Sequence, residues 1–261
     1  MGKISIIIPT YNRKAKIIRA IDSVLSQTVK PHEILICDDG STDGTEVLVR
    51  QIRNTRIRWV PGKHTGLPAV PRNRGVQLAK GDWIAFLDSD DWWEKNKLEK
   101  QFQLIKKLQV KAVCSNAYIV NPHSDKKERL YFSKTDVKNV FGFNELLTTN
   151  YVICSSFLVE KRLVIECGMF PEEPTLKAIE DYALWLRIST KTKIGYSKTP
   201  LVHYFNNPDN SIRTVWQNVT LQKKVILRNL YAWLIGNSNK NNRNALFIIK
   251  TLVRYIENMV F

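Results

Sequence analysis

Short, continuous apolar runs alternate along the chain with stretches whose apolar residues recur every three or four positions. The runs are Lys3 to Pro9, His32 to Cys37, Arg56 to Val60, Asp82 to Leu87 and Lys111 to Val120. Each is bounded by turn residues, which predicts strands covered on both faces. Between them, Arg13 to Gln27 carries Ile17, Ala20, Ile21, Val24 and Leu25 on one face. Thr45 to Ile52, Pro68 to Ala79 and Lys95 to Gln109 read as further helices. Strands alternating with helices of this length predict βαβ units, and so an α/β fold with a largely parallel sheet. Right-handed crossovers then bring the C-terminal strand ends to one edge.

Beyond Val120 the pattern loosens. Asn121 to Lys138 is charged and aperiodic, a surface loop or a hairpin. Helices are expected at Phe143 to Thr149, Lys161 to Cys167 (stopped by Gly168) and Glu180 to Ser189, and strands at Ser155 to Val159 and Leu201 to Phe205. From Ile212 to Phe261 the chain holds eight basic residues and one acid, Glu257. Asn218 to Ile235 is apolar almost all round and predicts a packed helix; Gly236 to Asn244 reads as a polar turn. Ala245 to Phe261 is amphipathic, and its basic face also carries Phe247 and Phe261. That combination suits peripheral contact with a membrane surface, and equally a helix packed on its own domain or on a second subunit of a homodimer. Two halves of one domain are expected, residues 1–110 and 111–211, followed by a basic helical extension at 212–261.

Composition adds one strong fact. The 261 residues carry a formal charge of +16, a field that attracts polyanions, anionic membranes or phosphorylated substrates. The four cysteines form no C-x-x-C pair, so buried, reduced thiols are expected rather than a zinc site. The apolar run Ile4 to Ile8 is too short for a signal-peptide core. A cytoplasmic protein is expected, with a place for it on the cytoplasmic face of the inner membrane.

The candidate chemistry lies at three polar turns, Thr10 to Arg13, Asp38 to Asp43 and Asp88 to Asp91, each following an apolar strand. Open α/β sheets bind ligands at such strand ends. Asp88, Asp90 and Asp91 put three like charges within four residues. A hard divalent cation makes such a cluster favourable, whereas the plain alternative is a solvated acidic turn.

Four separated stretches, IIPTYNR at Ile7 to Arg13, ICDDGSTDGT at Ile36 to Thr45, RNRG with GDWIAFLDSDD between Arg72 and Asp91, and IEDYALWLR at Ile179 to Arg187, together resemble glycosyltransferase family 2. These are inverting sugar-nucleotide transferases, here of the bacterial surface-polysaccharide type. The resemblance is close over residues 1 to about 110 and extends to about Ser211. It implies the GT-A fold, a Rossmann-like sheet flanked by helices. It also implies nucleotide contacts from Pro9, Thr10, Tyr11, Arg13, Asp38, Asp39, Arg72, Asp88 and Ser89. Tyr11 would stack on uracil and Asp39 would accept its N3–H, with Asp38 nearer the ribose; Arg72 and Arg74 match a position that touches the nucleotide or its phosphates. Asp88-Ser89-Asp90 matches the family's D-x-D element, in which Asp90 binds Mn²⁺ or Mg²⁺ and Asp88 holds ribose or a metal-bound water. Asp181 matches the general base. Asp91 is expected to cap the following turn.

The implied partners are a UDP-sugar donor and a glycan acceptor on a lipid carrier, with no nucleic acid. One departure stands out: Asn206 and Pro208 occupy the places of an Arg and a His found in many relatives, with His203 or Arg213 as substitutes. A sugar nucleotidyltransferase would want a glycine-rich loop after the first strand, where this chain has Pro9-Thr10-Tyr11-Asn12. A basic nucleic-acid-binding module finds no recognised motif here.

Overall fold

The computed structural model of the protein describes residues 2–121, 124, 126–133, 137–205 and 218–237. The stretch Asn206 to Arg213, most of the turn expected at Gly236 to Asn244, and the amphipathic segment Ala245 to Phe261 lie outside the described residues.

The first half runs β1 (Ile4–Thr10), α1 (Ile17–Leu25), β2 (Glu33–Asp38), α2 (Thr45–Arg50), β3 (Ile57–Val60), α3 (Ala69–Leu78), β4 (Trp83–Phe86), β5 (Trp92–Trp93) and α4 (Lys97–Leu108). It continues with β6 (Ala112–Val120), β7 (Lys127–Leu130), β8 (Val140–Phe141), α5 (Phe143–Thr148), β9 (Leu158–Glu160) and α6 (Lys161–Glu166). Last come α7 (Glu180–Ser189), β10 (Ile194–Phe205) and α8 (Val219–Asn237).

One sheet holds the order β3-β2-β1-β4-β9-β6-β10-β5, with β7 paired to β6 and β8 to β10. Strands β1 to β4 pair in parallel, as does β6 with β10. Strand β9 is antiparallel to both β4 and β6, so it reverses between them and leaves β6 running the same way as β4. Six strands therefore share one direction, as the sequence pattern predicts. Of the antiparallel additions, β9 overlaps the strand expected at Ser155 to Val159, shifted to its end, whereas the two-residue β5 and β8 were not separable from loop by pattern. Asn121 to Lys138 contains one arm of a hairpin, β7 on β6. Strand β10 begins at Ile194, seven residues before the expected Leu201. Its middle, Ser197 to Pro200, breaks register and is polar, which hides the strand from a periodicity reading.

Both faces of the sheet are covered. Ile7, Leu35, Cys37, Ile84 and Phe86 belong to one core cluster, and Ile4, Ile6, Ile8, Ile36 and Ala85 to the other. This alternation explains the unbroken apolar runs. All four cysteines are free and buried. Helix α8 buries Ile226, Leu227, Leu230 and Leu234 and leaves Val219, Leu221, Tyr231 and Ile235 exposed. It packs on one side only, against α7 and the turn at Pro174–Leu176, so its all-round apolar character does not make it a central helix. Among the described residues no helix is long and apolar enough to cross a membrane.

Helix α3 lies close on β1 and β2 because Gly75 has no side chain. A Cβ there would come 2.7 Å from Ile7 Cγ2 and 2.9 Å from Cys37 Sγ. Gly75→Ala is expected to destabilise the protein by about 1–3 kcal/mol in urea unfolding, since overpacking outweighs the gain in helix propensity.

Candidate active site

The C-terminal ends of β1, β2, β4 and β10 and the start of α7 border an open cleft of about 440 Å³. Pro9, Thr10, Tyr11, Arg13, Asp39, Arg72, Asp88, Ser89, Asp90 and Asp181 all line it, so nearly every residue singled out from the sequence converges there. Asp38 and Arg74 are not in the lining.

The turns after β1 and β2 are sewn together. Ser41 Oγ accepts the Asn12 N–H at 2.9 Å, Asn12 Oδ1 accepts the Thr42 N–H at 2.8 Å, and Thr45 Oγ1 accepts the Arg13 N–H at 3.0 Å. The Asp38 carboxylate is spent on this turn, accepting from the N–H groups of Gly40 and Ser41 and from Ser41 Oγ. Arg74 braces the same turn by donating to the Asp38 carbonyl at 2.7 Å. Asp39 faces the cleft. It is nonetheless 4 % exposed, because the segment His64 to Gly66 closes over it. Tyr11 is 40 % exposed and its ring stacks on that of His64.

At the acidic turn, Asp88 and Asp90 are half-buried, and Arg13 Nη2 lies 3.6 Å from Asp90 Oδ2. Burial, then the neighbouring Asp88 charge, pushes the Asp90 carboxyl up, against the pull of Arg13. Asp91 does not cap the next turn. It is buried, accepts from Ser155 Oγ at 2.5 Å and from the Phe205 N–H at 2.8 Å, and so ties the end of β4 to the end of β10. Ser155 Oγ in turn accepts the Asp88 N–H at 3.0 Å.

Arg72 is the hinge of the site. It is 5 % exposed and reaches from α3 to both sides of the cleft: Nη1 lies 2.6 Å from Glu180 Oε1, and Nη2 lies 2.7 Å from Asp88 Oδ1. Burial opposes its charge, while Cys154, Asp88 and Glu180 act the other way and raise its pKa further. The Nε of Arg72, Oε2 of Glu180 and Oγ1 of Thr10 are buried without a hydrogen-bond partner among the described residues. Asp181 follows Glu180 in the first turn of α7, where the helix N-terminus favours a carboxylate, and its Oδ1 accepts the Tyr182 N–H at 2.7 Å. Ala178, just before α7, holds φ at +70°, a strained conformation of the kind that gathers at functional sites.

His203 does not reach the cleft lining. It is buried against Trp92, ring centroids 4.8 Å apart, with Nε2 2.9 Å from Glu94 Oε1. Sequence reasoning missed His64, Lys16 and Lys177, which also line the cleft. None of them sits in a recognisable motif.

Comparison with known proteins places this geometry. Residues 5–168 match the model of "Glycosyl transferase family 2". The chain belongs to glycosyl transferase family 2. It is 35 % identical over 191 residues to the Escherichia coli "UDP-Glc:alpha-D-GlcNAc-diphosphoundecaprenol beta-1,3-glucosyltransferase WfaP", covering 73 % of this chain and 72 % of that one. Two solved structures share the fold. One is S. aureus TarS 1-349 with UDP-GlcNAc, at TM-score 0.73 and 20 % identity, covering 96 % of this chain and 71 % of TarS 1-349. The other is a mannosyltransferase from Pyrobaculum calidifontis with GDP-Man and Mn²⁺, at TM-score 0.62 and 15 % identity, covering 97 % of this chain and 80 % of that one.

As a glycosyltransferase of this family, the protein raises the question of a metal. No group of three or more His, Cys, Asp or Glu able to hold one occurs among the described residues. Asp88 and Asp90 nevertheless fit Mg²⁺ or Mn²⁺, because such cations are commonly held by one or two carboxylates together with substrate phosphates rather than by an all-protein cage.

Replacing Arg72 by Met leaves Glu180 and Asp88 as uncompensated charges. A loss of about 3–5 kcal/mol is expected in chemical unfolding at neutral pH. Adding Glu180→Met is expected to restore a substantial part of it, whereas simple additivity of the two losses would show that the pair is not coupled.

Proposed function

We propose that the protein transfers a hexose, glucose being the first to test, from its UDP-linked form to a hydroxyl of a glycan acceptor carried on a lipid diphosphate, in cell-surface polysaccharide synthesis. The donor and acceptor classes follow the printed activity of the 35 %-identical E. coli relative. The observation that carries the reading is the convergence on one cleft of the Asp88–Asp90 turn and of Asp181, which come from distant parts of the chain.

The uracil ring lies against Tyr11, with its N3–H directed at Asp39. Asp38 holds the turn that presents Asp39. The diphosphate reaches the end of the cleft held by Arg13, Asp88 and Asp90. Mg²⁺ or Mn²⁺ bound by Asp90 and Asp88 would neutralise the charge that develops on the departing diphosphate. Asp181 takes the proton of the acceptor hydroxyl as that oxygen attacks the anomeric carbon. The new C–O bond forms on the face opposite the breaking bond to the diphosphate, so an α-linked donor gives a β-linked product. Arg72, through Glu180, fixes Asp181 relative to Asp88.

Helix α8 supplies the membrane side of the reading. It carries Lys223, Lys224 and Arg228 and no acid, and its exposed residues include Leu221, Lys224, Arg228, Tyr231 and Ile235. Apolar residues with interspersed cations suit an anionic bilayer surface, where a lipid-linked acceptor resides.

Asp181→Asn is expected to bind UDP with Mn²⁺ as the parent does, while transfer from UDP-glucose to GlcNAc-diphospho-lipid falls about 10²- to 10⁴-fold. Full activity in this variant would remove Asp181 from the role of base. Asp90→Ala is expected to abolish the Mn²⁺-dependent rise in melting temperature given by UDP. The double variant Lys224→Glu, Arg228→Glu is expected to lose sedimentation with vesicles containing anionic lipid, and unchanged sedimentation would place membrane contact elsewhere.

A further inference from the structure

His64 holds both contacts that the reading above gives to the donor base. Its imidazole lies on the Tyr11 ring, centroids 4.0 Å apart and planes 21° apart. A base between the two rings would need roughly 7 Å, twice an ordinary carbon–carbon contact. The Nδ1 of His64 is 3.0 Å from the Asp39 carbonyl oxygen and 3.1 Å from Asp39 Oδ2. Both are acceptors, so Nδ1 carries the hydrogen and donates. A flat heteroaromatic ring on Tyr11 with a ring N–H directed at Asp39 is also what uracil would present.

The Asp39 carboxylate has no acceptor site to spare. Oδ1 takes the Thr65 N–H at 3.1 Å and Thr65 Oγ1–H at 2.8 Å; Oδ2 takes the Gly66 N–H at 2.9 Å and faces His64 Nδ1. A carboxylate offers about four lone-pair positions, so an arriving base must displace a donor. The backbone donors can leave only if the loop moves. Gly40 lies directly beneath that loop, where a Cβ would come 2.8 Å from the His64 backbone nitrogen. The His64 side chain is different: it is 48 % exposed, and one rotation about its Cα–Cβ bond would free both the Tyr11 face and an Asp39 acceptor.

We propose that the His64 side chain is a placeholder for the nucleobase, held on Tyr11 and Asp39 until the donor displaces it. It thereby sets how tightly the donor binds, and demands of an incoming base that it stack on Tyr11 and return an N–H to Asp39. The proposal rests on the reading of Tyr11 and Asp39 as the base seat. The exchange trades one stack and one hydrogen bond for another, so His64 taxes donor affinity without blocking it.

The test is calorimetric titration of UDP with Mn²⁺ into the parent, His64→Ala, His64→Phe and Tyr11→Ala proteins, with inorganic pyrophosphate and Mn²⁺ as the base-free probe. His64→Ala is expected to tighten UDP about two- to tenfold, the range of one aromatic pair, and to leave pyrophosphate unchanged. His64→Phe, which keeps the stack, is expected to bind UDP more weakly than His64→Ala. Weaker or unchanged UDP binding in His64→Ala, or an equal gain for pyrophosphate, would overturn the placeholder. If Tyr11→Ala leaves UDP binding unchanged, it is the base seat itself that fails.

Discussion

One buried guanidinium sets the geometry on which the rest of the cleft depends. Arg72 lies between Asp88, after β4, and Glu180, at the start of α7, with bonds of 2.7 and 2.6 Å. A charge taken out of water costs several kcal/mol unless it is paired and hydrogen-bonded, and two carboxylates meet that condition. The consequence is positional. Asp88 belongs to the proposed donor side, and Glu180 immediately precedes the proposed base. A misplacement of 1 Å can cost a catalytic site a hundredfold, and Arg72 fixes the two sides against each other through one planar, rigid group. Its own place follows from α3, which lies against β1 and β2 because Gly75 permits it.

The acidic motifs share a division of labour. In each, one carboxylate ties segments of the scaffold together while a neighbour lines the cleft, Asp39 being itself held there by Thr65, Gly66 and His64. Asp38 holds its turn while Asp39 faces inward. Asp91 ties β4 to β10 through Ser155 and Phe205, while Asp88 and Asp90 line the cleft. Glu180 is bound to Arg72, and Asp181 stands beside it. The donors that hold the scaffold member of each pair fix it in place, and its neighbour inherits that position. A functional group is held accurately when the residues around it are themselves locked.

Much of this was legible in the sequence, and the reasons are physical. Strands β1, β2 and β4 announce themselves because both faces are buried, so their runs are continuous, and polar turns at their ends mark the ligand edge. The convergence of Tyr11, Asp39 and Asp90 follows from that topology, whereas Asp181, at the start of α7, was marked only by the family resemblance. What was not legible depends on three-dimensional pairing. Nothing in DSDD says that Asp91 bonds the backbone of Phe205, or that Arg72 turns to Glu180 as well as Asp88. Strand β10 was seen only in its last five residues, Leu201 to Phe205, because Ser197 to Pro200 breaks the apolar pattern. His64 carries no motif at all, and its contact with Tyr11 exists only because the loop after β3 folds back over β1.

The charge of the cleft runs against the charge of the chain. The sequence is +16, yet the cleft is lined by five carboxylates, Asp39, Asp88, Asp90, Glu180 and Asp181, against Arg13, Lys16, Arg72 and Lys177. Arg72 is already committed to two of the acids, and Arg13 stands near Asp90. A diphosphate brought alone to Asp88 and Asp90 would meet like charge in a partly desolvated space. The same burial and crowding raise the Asp90 carboxyl. In the proposed reaction, Asp88 and Asp90 would hold a divalent cation, which would supply the positive charge that reverses the sign of that encounter. Donor and metal binding are then coupled in the proposed reaction, each weak without the other. The basic surplus would have a different use in the proposed reading. On α8 it lies outside the lining of the cleft, among exposed Leu221, Tyr231 and Ile235, where it would concentrate the enzyme at an anionic surface without competing for the donor.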